Sequence, residues 1–221
     1  SKVRKFLQTL YSTVYYYLTQ IADLDAYVQN RPRFANYNLK DVTIKLAEAE
    51  DFQQLTKTMD KFRTSTRVAD RRARDDLCVV AYKHDTLVHA RWAALTPIPM
   101  WGYDTLYLDP DEAYTYDSYT LPAFRGQGIS SEARVFLIKH LTSQGVHRTY
   151  TTSRSDNVIT QQHRSKRLRE GRVRILGLIT VARRFGWIYC TYSAETSATR
   201  SLMARLFQIP NQKIRLHSSS S

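Results

Sequence analysis

Residues Pro122 to Ser130 read Pro-Ala-Phe-Arg-Gly-Gln-Gly-Ile-Ser, and their spacing suits them to hold an anion. A strand-like run, Ala113 to Leu121, leads into Arg125-Gly126-Gln127-Gly128, and a helical pattern from Ser131 to Ser143 follows without a break. A strand, a glycine turn and a helix start aim several backbone N–H groups and the positive end of a helix dipole at one point. A pyrophosphate is the natural guest of such a point. Glycine matters because a Cβ would block the close approach of backbone to phosphate.

Three nucleotide-binding patterns compete for this segment. A P-loop needs Gly-Lys-Ser/Thr, and neither Gly126 nor Gly128 is followed by Lys. A dinucleotide fingerprint needs a third Gly or Ala where Ser131 stands, with an acidic residue about 20 positions further on a second strand. The third pattern fits better. Arg125-x-x-Gly128-x-Ser130 resembles motif A of the GNAT superfamily of N-acetyltransferases, Arg/Gln-x-x-Gly-x-Gly/Ala, and Pro122 precedes Arg125 by the three residues of that pattern. Asp156-Asn157, Gly171 and Gly177 are similar in placement to later family positions, although Arg172 stands where the family has Phe. Ser130 departs from the usual Gly or Ala but remains small.

The resemblance implies an acetyl-CoA-dependent N-acyltransferase that works by direct transfer in a ternary complex. It implies that Ser118, Tyr119 and Thr120 offer backbone groups to the pantetheine arm. Arg125, Gly126, Gln127, Gly128, Ile129 and Ser130 would surround the pyrophosphate, with Asn157 also at the cofactor. Asp117 and Glu112, on the strand leading into the motif, are the candidate bases. A carboxylate at Asp117 would take the acceptor's proton, bind its positive charge, or simply pair with a neighbour such as Tyr116 or Arg91. For the thiolate's acid, the family's usual Tyr count from Asn157 reaches Arg164, beside His163. His163 is the candidate, against a shifted register, no dedicated acid or a surface histidine.

A sheet must position these groups. The order of elements reads as α/β of the α+β type: a GNAT-like mixed, mostly antiparallel central sheet with flanking helices. Strands are expected at Val42 to Leu46, Leu77 to Tyr82, Leu87 to Thr96, Val146 to Thr152, Ile175 to Arg183 and Trp187 to Tyr192. Helices are expected at Glu48 to Arg63, Thr64 to Arg74, Asn157 to Arg169 and 196–208, and Pro97 to Glu112 reads as loop. Val3, Leu7, Leu10, Val14, Tyr17, Ile21, Leu24 and Val28 step by fours and threes. That seam predicts an extra N-terminal helix from Lys2 to Gln29, packed on its own domain, on a homodimer partner or on a membrane surface. The expected organisation is an N-terminal extension over 1–40, an acetyltransferase-like domain over 41–193, and a C-terminal helix with a disordered serine tail over 194–221.

Composition narrows the partners. The 221 residues carry a net charge of +13, which fits simple solubility of a basic protein or an anionic partner: coenzyme A, an anionic acceptor, a membrane surface or, less favoured, nucleic acid. Arg63, Arg67, Arg71 and Arg74 recur at helical spacing, which alone fits a solvated face; the GNAT resemblance implies that this region borders the acceptor, where it would suit an anionic small-molecule or protein amine. The rival function is a GNAT scaffold that binds CoA or nucleic acid without turnover. Six scattered histidines lack metal-ligand spacing, so no metal is implied. Cys78 and Cys190 lie in apolar runs and predict buried thiols in a reducing compartment, the cytoplasm. No signal-peptide core and no apolar run long enough for a membrane span is read.

Overall fold

The computed structural model describes residues 13–24, 39–59, 65–100, 104–155, 173–184 and 187–216. In chain order the elements are β1 (Thr13–Asp23), β2 (Val42–Leu46), α1 (Ala49–Thr58), α2 (Ser65–Ala73), β3 (Leu77–Lys83), β4 (Thr86–Ala94), β5 (Ile98–Met100) and β6 (Asp104–Leu106). There follow β7 (Glu112–Thr120), α3 (Ile129–Ser143), β8 (Arg148–Arg154), β9 (Arg174–Arg184), β10 (Trp187–Ala194), α4 (Ser197–Phe207) and β11 (Ile214–Leu216). The chain forms two compact units. One contains Asp23–Pro97 and Leu108–Thr149; the other contains Ser1–Ala22, Ile98–Tyr107 and Tyr150–Ser221.

The first unit carries the glycine turn. Its strands run β2-β3-β4-β7, each pair antiparallel. The centre of β3 and nearly all of β4 read as unbroken apolar runs because both faces are covered: Val79, Val80, Ala81, Val88, Ala90 and Trp92 are fully buried. They divide between the two faces, with a register irregularity at Val88 switching the face along β4. Val80, Ala90 and Trp92 join Leu55 and Met59 of the α1 segment and Val68 of α2, while Ala81 and Val88 join Ile129 of α3. Helix α1 starts at Glu48 through a capping box in which the Asp51 carboxylate accepts the Glu48 amide at 2.7 Å. Phe52 on that helix stacks on Trp92, with ring centroids 5.8 Å apart. Helix α3 buries Ile129, Ala133, Leu137 and Leu141 at four-residue spacing.

In the second unit β1, β9 and β10 pair antiparallel and β11 adds parallel to β10. Helix α4 packs on β9, β10 and β11. Gly177 is fixed by that packing: a Cβ there would lie 2.0 Å from the Ser193 carbonyl oxygen and 2.5 Å from Met203 Sδ. Ile98–Met100 and Asp104–Leu106, within the stretch expected as loop, pair as the two-stranded β5-β6 ribbon.

The expected N-terminal helix is corrected: Thr13–Asp23 is a strand. Its Thr-Val-Tyr-Tyr-Tyr start is β-branched and aromatic, types that lose side-chain freedom in a helix and favour strands. The three-and-four stepping has another source. An irregularity between Thr19 and Gln20 shifts the register against β9, and Thr19, Gln20 and Ile21 are buried consecutively. Residues 1–12 and 25–38, the remainder of the seam, lie outside the described residues. Elsewhere among the described residues the architecture is the expected mixed, mostly antiparallel sheet with flanking helices; the helix expected from Asn157 to Arg169 lies outside them. No helix among the described residues is long and apolar enough to cross a membrane.

Candidate active site

The site grows from an irregularity in β7. His89 pairs with Thr120 and Ala90 with Tyr119, but Trp92 pairs with Tyr116, so Asp117 and Ser118 together face the single residue Arg91. The extra residue makes a bulge, which re-aims side chains and interrupts the ladder. Asp117 takes φ of 43°, a left-handed conformation that Asp tolerates better than most residues. Beyond the bulge, Thr120 is anchored by His89, whose Nδ1 lies 2.8 Å from the threonine Oγ1.

The strand then enters a short 3-10 turn, Pro122–Phe124, and the glycine turn. Gly126 and Gly128 have φ of 78° and 81°, and Gly128 is the N-cap of α3. A Cβ on Gly126 would meet nothing within 4 Å. Backbone conformation together with open space, rather than crowding, is what calls for glycine here. The ladder of α3 begins with the Ser131 and Glu132 amides, both bonded to the Gly128 carbonyl at 2.9 and 3.1 Å. The amides from Gly126 to Ser130 come before it, at the positive end of a 15-residue helix. Arg125 donates from Nε to the Thr120 carbonyl at 3.1 Å and lies over the Tyr119 ring. Lys83 donates to Gln127 Oε1 at 2.8 Å, bringing a second cation to the turn. This donor set suits a pyrophosphate.

Asp117 pairs with Arg71 of α2, and its own side chain is 43% exposed. Arg71 is buried between two rings, its guanidinium carbon 4.8 Å from the Trp92 centroid and 5.1 Å from that of Tyr116. The Tyr116 hydroxyl donates to Asp76 at 2.6 Å, and Arg74 pairs with the same carboxylate at 2.5 Å. Burial, then the Asp76 hydrogen bond, pushes the Tyr116 hydroxyl far above its ordinary range, so it stays a bound proton donor. Two arginines of the expected cationic wall, Arg71 and Arg74, are therefore already matched by carboxylates.

The candidate residues separate into groups. Asp117, Ser118, Tyr119, Thr120, Arg125, Gly126, Gln127, Gly128, Ile129 and Ser130 come together around the bulge and the turn. Glu112 does not join them. It is fully buried at the other end of β7, about 15 Å away along the strand. There its carboxylate accepts the Asp109 amide at 3.1 Å and lies 3.6 Å from Arg148. Asp109, Asp111 and Glu112 cluster, with Arg148 2.8 Å from Asp111. Asn157 and His163 lie outside the described residues. Lys83 enters the site without having been assigned to it from sequence; Arg71 was expected there as part of an acceptor wall, and Arg91 only as a neighbour of Asp117. The one available signal was charge within apolar strand runs, Arg91 in Leu87 to Ala94 above all.

The family described as "Acetyltransferase (GNAT) family" matches residues 43–162. No curated protein matches the sequence. Among solved structures, a functionally unknown conserved protein from Staphylococcus epidermidis ATCC 12228 is similar, with a TM-score of 0.53 at 12% identity over 81% of this chain and 65% of that one. A GCN5-related glucosamine N-acetyltransferase region in a fungal multi-domain GH3 beta-N-acetylglucosaminidase is similar, with a TM-score of 0.56 at 14% identity over 82% of this chain and 22% of that one. The chain thus spans less than two thirds of either protein, and at these identities the likeness is one of fold.

Proposed function

The chain belongs to the GNAT acetyltransferase family, and from that premise we propose that it transfers the acetyl group of acetyl-CoA to an amine within a ternary complex. One observation carries this reading. A left-handed glycine turn opens α3 directly beside the bulge of β7, so a turn suited to an anion and an interrupted strand ladder are adjacent.

The chain's residues divide the work. Amides from Gly126 to Ser130, with Arg125 at the turn, hold the pyrophosphate. Backbone groups of Ser118, Tyr119 and Thr120 align the pantetheine arm. A thioester brings an already activated acyl carbon, so positioning and proton transfer are what remain. Asp117, exposed at the bulge and braced by Arg71, accepts the proton of the incoming ammonium. The amine nitrogen then bonds to the acetyl carbon, the carbon–sulfur bond breaks, and the thiolate takes a proton from solvent or from His163. Products are the acetamide and free coenzyme A. Glu112, held by Asp109 and Arg148, serves the fold at the other end of the strand. The acceptor is an amine. With Arg71 and Arg74 paired, the residual positive charge that favours an anionic one lies elsewhere in the chain. Cys78 and Cys190, not joined in a disulfide, suit a cytoplasmic setting.

Acetyl-CoA incubated with a panel of small-molecule and peptide amines tests the reading through thiol release and product mass. The expected result is acetylated amine with stoichiometric free thiol. Acetyl-CoA binding without turnover on any amine would favour the non-catalytic scaffold instead. Salt-sensitive binding to random DNA, with no acetyl-CoA binding, would favour a nucleic-acid module.

A further inference from the structure

We propose that Arg91 is a positioning residue of the cofactor site, clamping the bulge of β7 to the first turn of α3. Its side chain is buried at the centre of the sheet of the first unit, with the residue 5% exposed. One nitrogen, Nη2, reaches both Ser118 Oγ at 2.8 Å and Ser130 Oγ at 3.3 Å, and the two hydroxyls are 3.5 Å apart. Ser118 belongs to the bulge and Ser130 to the start of the helix.

Burying a guanidinium is costly unless hydrogen bonds hold it. A fold that needed only to fill this position would use an apolar residue, like its neighbours Ala90 and Trp92. The bulge makes the arrangement specific. Because two residues of β7 face Arg91, the hydroxyl of Ser118 is turned to within hydrogen-bond distance of the guanidinium. Ser130 stands where motif A ends in Gly or Ala, and its hydroxyl supplies what neither of those residues could. The departure from the motif and the buried arginine therefore explain one another.

The clamp matters because it joins two half-sites. Resting on the acetyl-CoA reading, Ser118 marks the groove for the pantetheine arm and Ser130 the turn for the pyrophosphate. A ligand that spans both is sensitive to their separation; one that uses the turn alone is not. Fixing that separation in advance spares the ligand the cost of ordering it.

The test uses calorimetric titration of the full chain with two probes: acetyl-CoA, and 3′-phosphoadenosine 5′-diphosphate, the nucleotide half of the coenzyme. For Arg91→Gln, the dissociation constant of acetyl-CoA should rise about tenfold, the scale expected for a charged hydrogen bond. That of the nucleotide half should stay within about twofold of wild type. Ser118→Ala and Ser130→Ala keep their backbone amides and serve if Arg91→Gln does not fold. Each should weaken acetyl-CoA a few-fold, and the double variant should be weaker than wild type by less than the product of the two, because either change opens the same clamp. Equal loss for both probes, no loss for either, or multiplicative serine effects overturns the clamp. A wild-type protein that binds neither probe overturns the acetyl-CoA reading, and the clamp's role with it.

Discussion

Gly128→Val should abolish acetyl-CoA binding, raising its dissociation constant at least about 100-fold in calorimetric titration. Two effects combine. Gly128 has φ of 81°, where a β-branched residue is a genuine outlier. It is also the N-cap of α3, so straightening its backbone re-aims the Ser131 and Glu132 amides that bond its carbonyl, and with them the free amides just before. Gly145, with φ of 83° just past the other end of α3, supplies the control. Gly145→Val imposes the same type of strain away from the turn, and should lower the melting temperature without a comparable loss of affinity. If Gly128→Val folds and binds acetyl-CoA as wild type does, the turn is not the pyrophosphate site.

Asp117→Asn should lower kcat by about 100- to 10,000-fold, the usual range for removal of a general base, while the dissociation constant of acetyl-CoA stays within about twofold. The substitution keeps the shape and the tolerance for a left-handed φ, since Asn adopts that region as readily as Asp. It removes the proton acceptor and weakens the pair with Arg71. Arg71 remains stacked between Trp92 and Tyr116, which limits the structural damage. Turnover at the wild-type rate on the true acceptor would return Asp117 to a purely ion-pairing role.

The region around the turn was legible in the sequence because its determinants are local. The strand expected at Ala113 to Leu121 is Glu112–Thr120, and the helix expected from Ser131 begins at Ile129. That two-residue difference arises because Gly128 itself caps the helix. The contacts that complete the site are long-range, and periodicity carries no trace of them. Arg71 meets Asp117 across 46 residues and Arg91 meets Ser130 across 39. Glu112 and Asp117 share one strand and looked equivalent, yet opposite ends of β7 give one to a buried acidic corner and the other to the exposed bulge. The N-terminal seam misled for a related reason. Its apolar spacing has the helical period, but pairing with β9 and the register irregularity at Thr19/Gln20, both invisible locally, decide for strand.

The claim that the turn and the bulge together form the acetyl-CoA site is tested most directly by amide hydrogen exchange with and without the ligand. Backbone amides that come to bond a phosphate or the pantetheine arm exchange more slowly once it is bound. Saturating acetyl-CoA should slow exchange most at Gly126 to Ser130 and at Ser118 to Thr120, and leave the acidic corner at Asp109 to Glu112 unchanged. Binding that protects other segments and leaves residues 118–130 at their free rates would contradict the account.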